Sequence, residues 1–142
     1  MLKSRLLHPE ILSALASGGH GTKVLIADSN YPFATKSGPN AAIVYLNLCP
    51  GRLTATEVLE VLLEQVPIEA AHVIQPDHGD LPPIVQEFQR LIGPEPKIQP
   101  LGRFDFYDQV KSDDCGLVIA TGEQRTYACL LLTIGVVEPK ES

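Results

Sequence analysis

Short branched apolar runs, each too brief for a helix and separated by stretches with helical spacing, constrain this chain more than any other feature. Lys23–Ala27 is the clearest, an almost wholly apolar five-residue run that reads as a buried strand. Leu117–Ala120 and Tyr127–Thr133 read as two more, and Ala41–Leu46, Ala70–Gln75 and Lys97–Leu101 as weaker candidates. Between them lie amphipathic segments. Pro9–Ser17 carries Ile11, Leu12 and Leu15 on one face, has proline in its first turn and stops at Gly18-Gly19. Thr54–Gln65 opens on a Thr54/Glu57 capping box and buries Val58, Leu59, Leu62 and Leu63. Pro83–Ile92 places Ile84, Val85, Phe88, Leu91 and Ile92 together and ends at Gly93-Pro94, and Phe104–Ser112 turns Phe106, Tyr107 and Val110 inward. Strand and helix alternate, which predicts a layered α/β domain with a mostly parallel sheet.

Composition sets the limits. The chain has 142 residues, 44% of them hydrophobic, enough for one core and one domain over residues 1–142. The net charge is −6 and no basic run of five occurs, so nucleic acid and anionic membrane are poor partners. No stretch reaches the apolar length of a membrane span, and the start lacks a secretory pattern. Cys49, Cys115 and Cys129 are odd in number and form no Cys-x-x-Cys, which argues against a disulfide framework or a zinc site and for a reducing cytoplasm. His72, Asp77 and His78 match no known metal spacing and read as part of a polar loop. Gly19-His20-Gly21-Thr22-Lys23 is no phosphate loop: its Thr-Lys order is reversed and it precedes the strand.

Two constellations carry chemistry. In Gly18-Gly19-His20-Gly21-Thr22-Lys23, a histidine sits on a glycine turn before the first strand, and Asp28 sits where that strand stops. Strand ends are where open α/β sheets meet ligands. An imidazole, with an ordinary pKa of ~6.5, is the best proton donor or acceptor at working pH. His20 and Asp28 are therefore expected to face one small polar molecule, with Asp28 orienting the imidazole or accepting from a hydroxyl. The second constellation is Arg103-Phe104-Asp105-Phe106-Tyr107, at a strand-to-helix junction, followed by Thr121-Gly122-Glu123 and by Tyr127-Ala128-Cys129, where Tyr127 is expected to begin a strand.

In this order the motifs resemble those of the ribose pyranase / fucose mutarotase family. The resemblance runs from His8-Pro9-Glu10 and Gly19-His20-Gly21, through Asp28-Ser29-Asn30-Tyr31-Pro32 and Ser37-Gly38-Pro39, to Arg103-Phe104-Asp105-Phe106-Tyr107, Thr121-Gly122-Glu123, Tyr127 and Gly135-Val136. The Arg-Phe-x-Phe-Tyr segment is similar to the fucose branch. The resemblance implies a three-layer α/β/α sandwich, a ring-shaped homodecamer with sites near subunit contacts, and a monosaccharide substrate. It implies His20 as proton donor, with Asp28, Arg103, Tyr127, Ala128 and Cys129 contacting the sugar. One position departs from the pattern: Cys129 stands where the family carries asparagine, replacing an amide with a weak donor and acceptor. Asn30 and Asn47 are the nearest substitute amides.

Mutarotation opens and recloses a pyranose ring by proton transfers to and from oxygen, so acid–base groups suffice, without a metal or redox cofactor. The roles expected are His20 on the ring oxygen, Arg103 as a fork of donors to hydroxyls, Tyr127 binding or relaying, and Tyr31 or Phe104 as an apolar wall for a C6 methyl. The competing expectation is a non-catalytic monosaccharide-binding or sugar-transport accessory protein on the same scaffold.

Overall fold

The computed structural model describes residues 1–140. Six strands form one sheet in the order β2-β5-β1-β6-β3-β4: β1 Lys23–Ala27, β2 Ala42–Tyr45, β3 Ile68–Ile74, β4 Gln99–Leu101, β5 Cys115–Ala120 and β6 Leu130–Ile134. β2, β5, β1, β3 and β4 all run the same way, and β6 runs against its neighbours β1 and β3. The sheet is thus mixed but mostly parallel. Four helices accompany it: α1 Pro9–Gly18, α2 Ala55–Leu63, α3 Ile84–Ile92 and α4 Arg103–Val110.

The strand alternation fixes the layers. Val24 and Ile26 of β1, Leu117 and Ile119 of β5, and Leu130 and Leu132 of β6 face one side, where α1, α2 and α3 cover them with Ile11, Leu59 and Phe88. Leu25, Val118 and Leu131 face the other, where Phe106 and Val110 of α4 and the ring of Tyr31 close a smaller core. This is a three-layer sandwich with unequal outer layers. A single helix and an irregular segment cover the second face, and a cleft at the C-terminal edge of the parallel strands borders this smaller core.

Local signals decide most element ends. The Thr54 hydroxyl accepts from the Glu57 N–H and the Glu57 carboxylate accepts from the Thr54 N–H, so α2 starts with the expected capping box. α1 is capped by His8, whose Nδ1 accepts from the Ile11 N–H, and it ends at Gly19 in a positive-φ conformation. The last strand begins later than its apolar run predicts, at Leu130 rather than Tyr127. Tyr127 has φ 54°, which no strand accommodates, and the Ala128 N–H is spent on a side chain instead of the ladder. No helix is long and apolar enough to cross a membrane among the described residues.

Candidate functional site

Asp28 follows β1, Ile74 ends β3, Arg103 opens α4 just after β4, and Tyr127 and Cys129 lie in the segment leading into β6. These positions converge because the parallel strands share one C-terminal edge, and β6 begins at that edge by running the other way. With Asn30, Tyr31, Tyr107 and Thr126 they line a cleft of about 250 Å³.

Asp28 is the polar centre of the cleft. It is only 5% exposed. One carboxylate oxygen accepts from the Asn30 N–H at 3.0 Å and the other from the Ala128 N–H at 3.2 Å. A carboxylate has about four acceptor positions, so two hydrogen bonds leave room for ligand hydroxyls. Burial pushes the Asp28 carboxyl above its ordinary range, against the pull of those backbone bonds. The Asp28 N–H in turn donates to the Cys129 sulfur at 3.4 Å. Burial and the neighbouring Asp28 charge drive the Cys129 thiol well up, so it stays protonated.

The walls are aromatic. Tyr31 and Tyr107 meet edge to face at 5.6 Å between centroids. The Tyr31 hydroxyl donates to the Lys36 carbonyl at 2.7 Å, so it already has a partner outside the cleft that Tyr31 lines. Ile74 adds an aliphatic patch. Arg103 brings a guanidinium to the rim, packed over the Phe104 ring at 4.9 Å. A carboxylate acceptor, a guanidinium donor and flat apolar walls are the equipment for binding a small polyhydroxylated ring.

His20 lies elsewhere. It sits before β1, Asp28 after it, and the strand between them spans about 13 Å at roughly 3.3 Å per residue. Within a single chain the two therefore line separate hollows. The physical reason is simple: a strand carries its two ends to opposite edges of the sheet. Within one chain Asp28 is too far away to orient the imidazole. Glu69 does so, with its carboxylate 2.9 Å from the His20 Nε2. The histidine projects from a turn built on Gly19 and Gly21, both at positive φ, and its side chain is 58% exposed. A second hollow of about 410 Å³ lies beside it, lined by Ser17, Thr22, Asn40, Asp113 and Asp114 among others.

The whole-chain comparisons agree with one another. The sequence profile of the RbsD / FucU transport protein family matches residues 1–137. The chain belongs to that family. It is 31% identical over 150 residues to the fucose mutarotase of Danio rerio, covering 96% of this chain and 93% of the relative. It is 29% identical over 136 residues to the D-ribose pyranase of Pseudomonas putida, covering 96% of this chain and 98% of the relative. Among solved structures, the fucose mutarotase of Streptococcus pneumoniae in complex with L-fucose superposes with a TM-score of 0.81 at 30% identity, over 96% of this chain and 100% of the other.

Within this RbsD / FucU fold, Asp28, Arg103, Tyr127 and Cys129 share one cleft, and Ala128 joins them through its backbone N–H. Of the two substitute amides, Asn30 lines the cleft and Asn47 does not. Of the two candidate walls, Tyr31 lines it, whereas Phe104 is 70% exposed and backs Arg103 instead. Ile74 and Thr126 escape sequence reasoning. Ile74 carried a usable signal, since it closes a strand run at the same sheet edge as Asp28. Thr126 carried none.

Proposed function

We propose that this chain is a monosaccharide mutarotase acting by general acid–base catalysis on a fucose-like sugar. The observation that carries the reading is the cleft itself. Buried Asp28 stands ready to accept from hydroxyls, Arg103 to donate, and the Tyr31, Tyr107 and Ile74 surfaces to pack on an apolar sugar face. Membership of a family that includes fucose mutarotases and D-ribose pyranases supports it. Ile74 and the aromatic rings favour a methyl over a hydroxymethyl at the sugar's C6, which selects a deoxy sugar such as L-fucose over hydroxylated hexoses.

In this mechanism the bond between the anomeric carbon and the ring oxygen breaks. The ring oxygen takes a proton from His20, and the anomeric hydroxyl gives its proton to a base at the site, directly or through Tyr127. The open-chain carbonyl rotates, and the same groups run in reverse to close the other anomer. Asp28 and Arg103 hold ring hydroxyls throughout. Because His20 and the cleft lie at opposite sheet edges of one chain, the reading requires His20 to come from a second copy, in a homo-oligomer whose sites lie at subunit contacts. A ring-shaped decamer, implied by the sequence resemblance, provides such contacts.

Saturation-difference NMR of anomer exchange on L-fucose, D-ribose and hydroxylated hexoses tests the reading. Exchange well above the spontaneous rate, strongest on L-fucose, supports it. Binding without accelerated exchange would favour the sugar-binding accessory alternative.

A further inference from the structure

Glu123 is a buried carboxylate that the proposed chemistry does not use. It is 3% exposed and lies between the end of β5 and the cleft segment. One of its oxygens accepts from the Ala55 N–H at the start of α2 at 3.3 Å, and from the Arg125 guanidinium at 2.9 Å. The other accepts from the Arg125 backbone N–H and from its Nε, both at 3.2 Å. The same guanidinium reaches Glu87 of α3 at 2.6 Å. Burial alone would raise the Glu123 carboxyl, but the bonds and charge of Arg125 outweigh it and hold the group below the usual carboxylate range.

The backbone around Glu123 is tied to the strand end that carries Asp28. The Glu123 carbonyl accepts from the Ser29 N–H at 2.9 Å. The Thr121 hydroxyl donates to the Ala27 carbonyl at 2.7 Å, and the Ser29 hydroxyl donates to the Thr121 carbonyl at 3.1 Å. Four residues beyond Glu123, Tyr127 takes its left-handed conformation and Ala128 donates to Asp28. A left-handed non-glycine residue persists only where its surroundings over-determine it. The anchor on one side is Asp28 and on the other is Glu123 with Arg125.

We propose that Glu123 and Arg125 are positioning residues of the site: their ion pair, fastened to α2 and α3, sets the 124–129 segment so that Tyr127 faces the cleft and the Ala128 N–H meets Asp28. The proposal rests on the mutarotase reading for its kinetic consequence but not for its structural one. An error of about 1 Å in placing a site group can cost on the order of 10²-fold in rate. Glu123→Gln removes the charge that gathers the Arg125 donors. It is expected to slow L-fucose anomer exchange by about 10- to 100-fold, chiefly in kcat, while the chain stays folded at the assay temperature. It is also expected to raise the Asp28 carboxyl's titration midpoint, read by carboxyl ¹³C NMR, because Asp28 loses a hydrogen bond that favours its ionised form. Arg125→Lys keeps the charge opposite Glu123 but loses the fork that joins Glu123 to Glu87, so it is expected to fall between Arg125→Gln and the unsubstituted protein in rate.

An unchanged exchange rate together with an unchanged Asp28 titration in folded Glu123→Gln overturns the proposal. If Glu123→Gln does not fold, Arg125→Gln at its half-exposed position takes its place. The same two readouts must then move in the same direction, and unchanged values overturn the proposal. If the unsubstituted protein exchanges no sugar, the mutarotase reading fails on its own, and the Asp28 titration in the variant alone decides whether the clamp exists.

Discussion

The two ends of β1 are built to opposite standards. At the Asp28 end, the carboxylate is buried, bonded to two backbone N–H groups and backed by the Cys129 thiol. At the His20 end, an exposed imidazole stands on a two-glycine turn with Glu69 as its hydrogen-bond partner. The difference teaches what a single chain completes and what it leaves open. The Asp28 cleft, which the proposed function assigns to ligand recognition, is fixed within the fold. In the proposed mechanism the proton-transfer group is His20, presented outward on its turn, as expected of a group that serves a surface other than its own chain's cleft.

If that contrast is right, substitution at the His20 end alters chemistry without touching the fold. His20→Ala is expected to cost about 10²- to 10⁴-fold in anomer exchange, the range of one positioned acid–base group, at an unchanged melting temperature. A fall in melting temperature that accounts for the rate would place His20 in the structure rather than the chemistry.

At the cleft end the loss should fall on binding. Arg103→Ala removes charge-assisted hydrogen bonds worth roughly 1.5–3 kcal/mol each, so sugar affinity by titration calorimetry should fall about tenfold or more. Arg103 is exposed, which leaves the fold intact. Unaltered affinity would remove it from the site.

The pH dependence separates the two ends again. Since burial lifts the Asp28 carboxyl above its ordinary value of 3.8, kcat/KM should fall on the acid side through a midpoint above that value, as Asp28 takes up a proton. For stability the sign is opposite. A carboxyl harder to ionise when folded favours the native state most below its unfolded value, and that contribution is lost as pH rises through the folded one. The midpoint of the acid limb should therefore coincide with the Asp28 carboxyl's own titration, read by carboxyl ¹³C NMR. An acid limb whose midpoint departs from that titration belongs to another group.

The smallest effect expected is at Cys129. Its sulfur accepts from the Asp28 N–H and it also lines the cleft, so it is both core and site. An asparagine there can accept that N–H through its oxygen and offer its amide to the sugar. One neutral hydrogen bond is worth ~0.5–1.5 kcal/mol, so Cys129→Asn should raise exchange a few-fold. A lower melting temperature with no kinetic gain would assign Cys129 to the core alone.

Much of this was legible in the sequence because it is local. The capping box of α2, the glycine stop of α1 and the apolar run of β1 are each written in a few adjacent residues. Asp28 was legible as a candidate because a strand end is a local feature. The separation of His20 from Asp28 follows from strand length, yet motif order alone set the two side by side. The late start of β6 was hidden because Tyr127's left-handed backbone is imposed by partners far along the chain, above all Asp28. The antiparallel run of β6 was hidden likewise, since alternating periodicity says nothing about strand direction. Glu69 as the partner of His20 is a pairing across 49 residues that no motif marks.

The claim that the acid and the cleft belong to different copies is most directly tested by mixing two inactive variants. His20→Ala and Asp28→Asn, each folded and each without appreciable exchange alone, are unfolded together and reassembled. If sites form between copies, roughly one site in four combines an intact His20 with an intact Asp28, and exchange on L-fucose recovers to about that fraction. Mixed assemblies of native mass that recover no exchange would contradict the account.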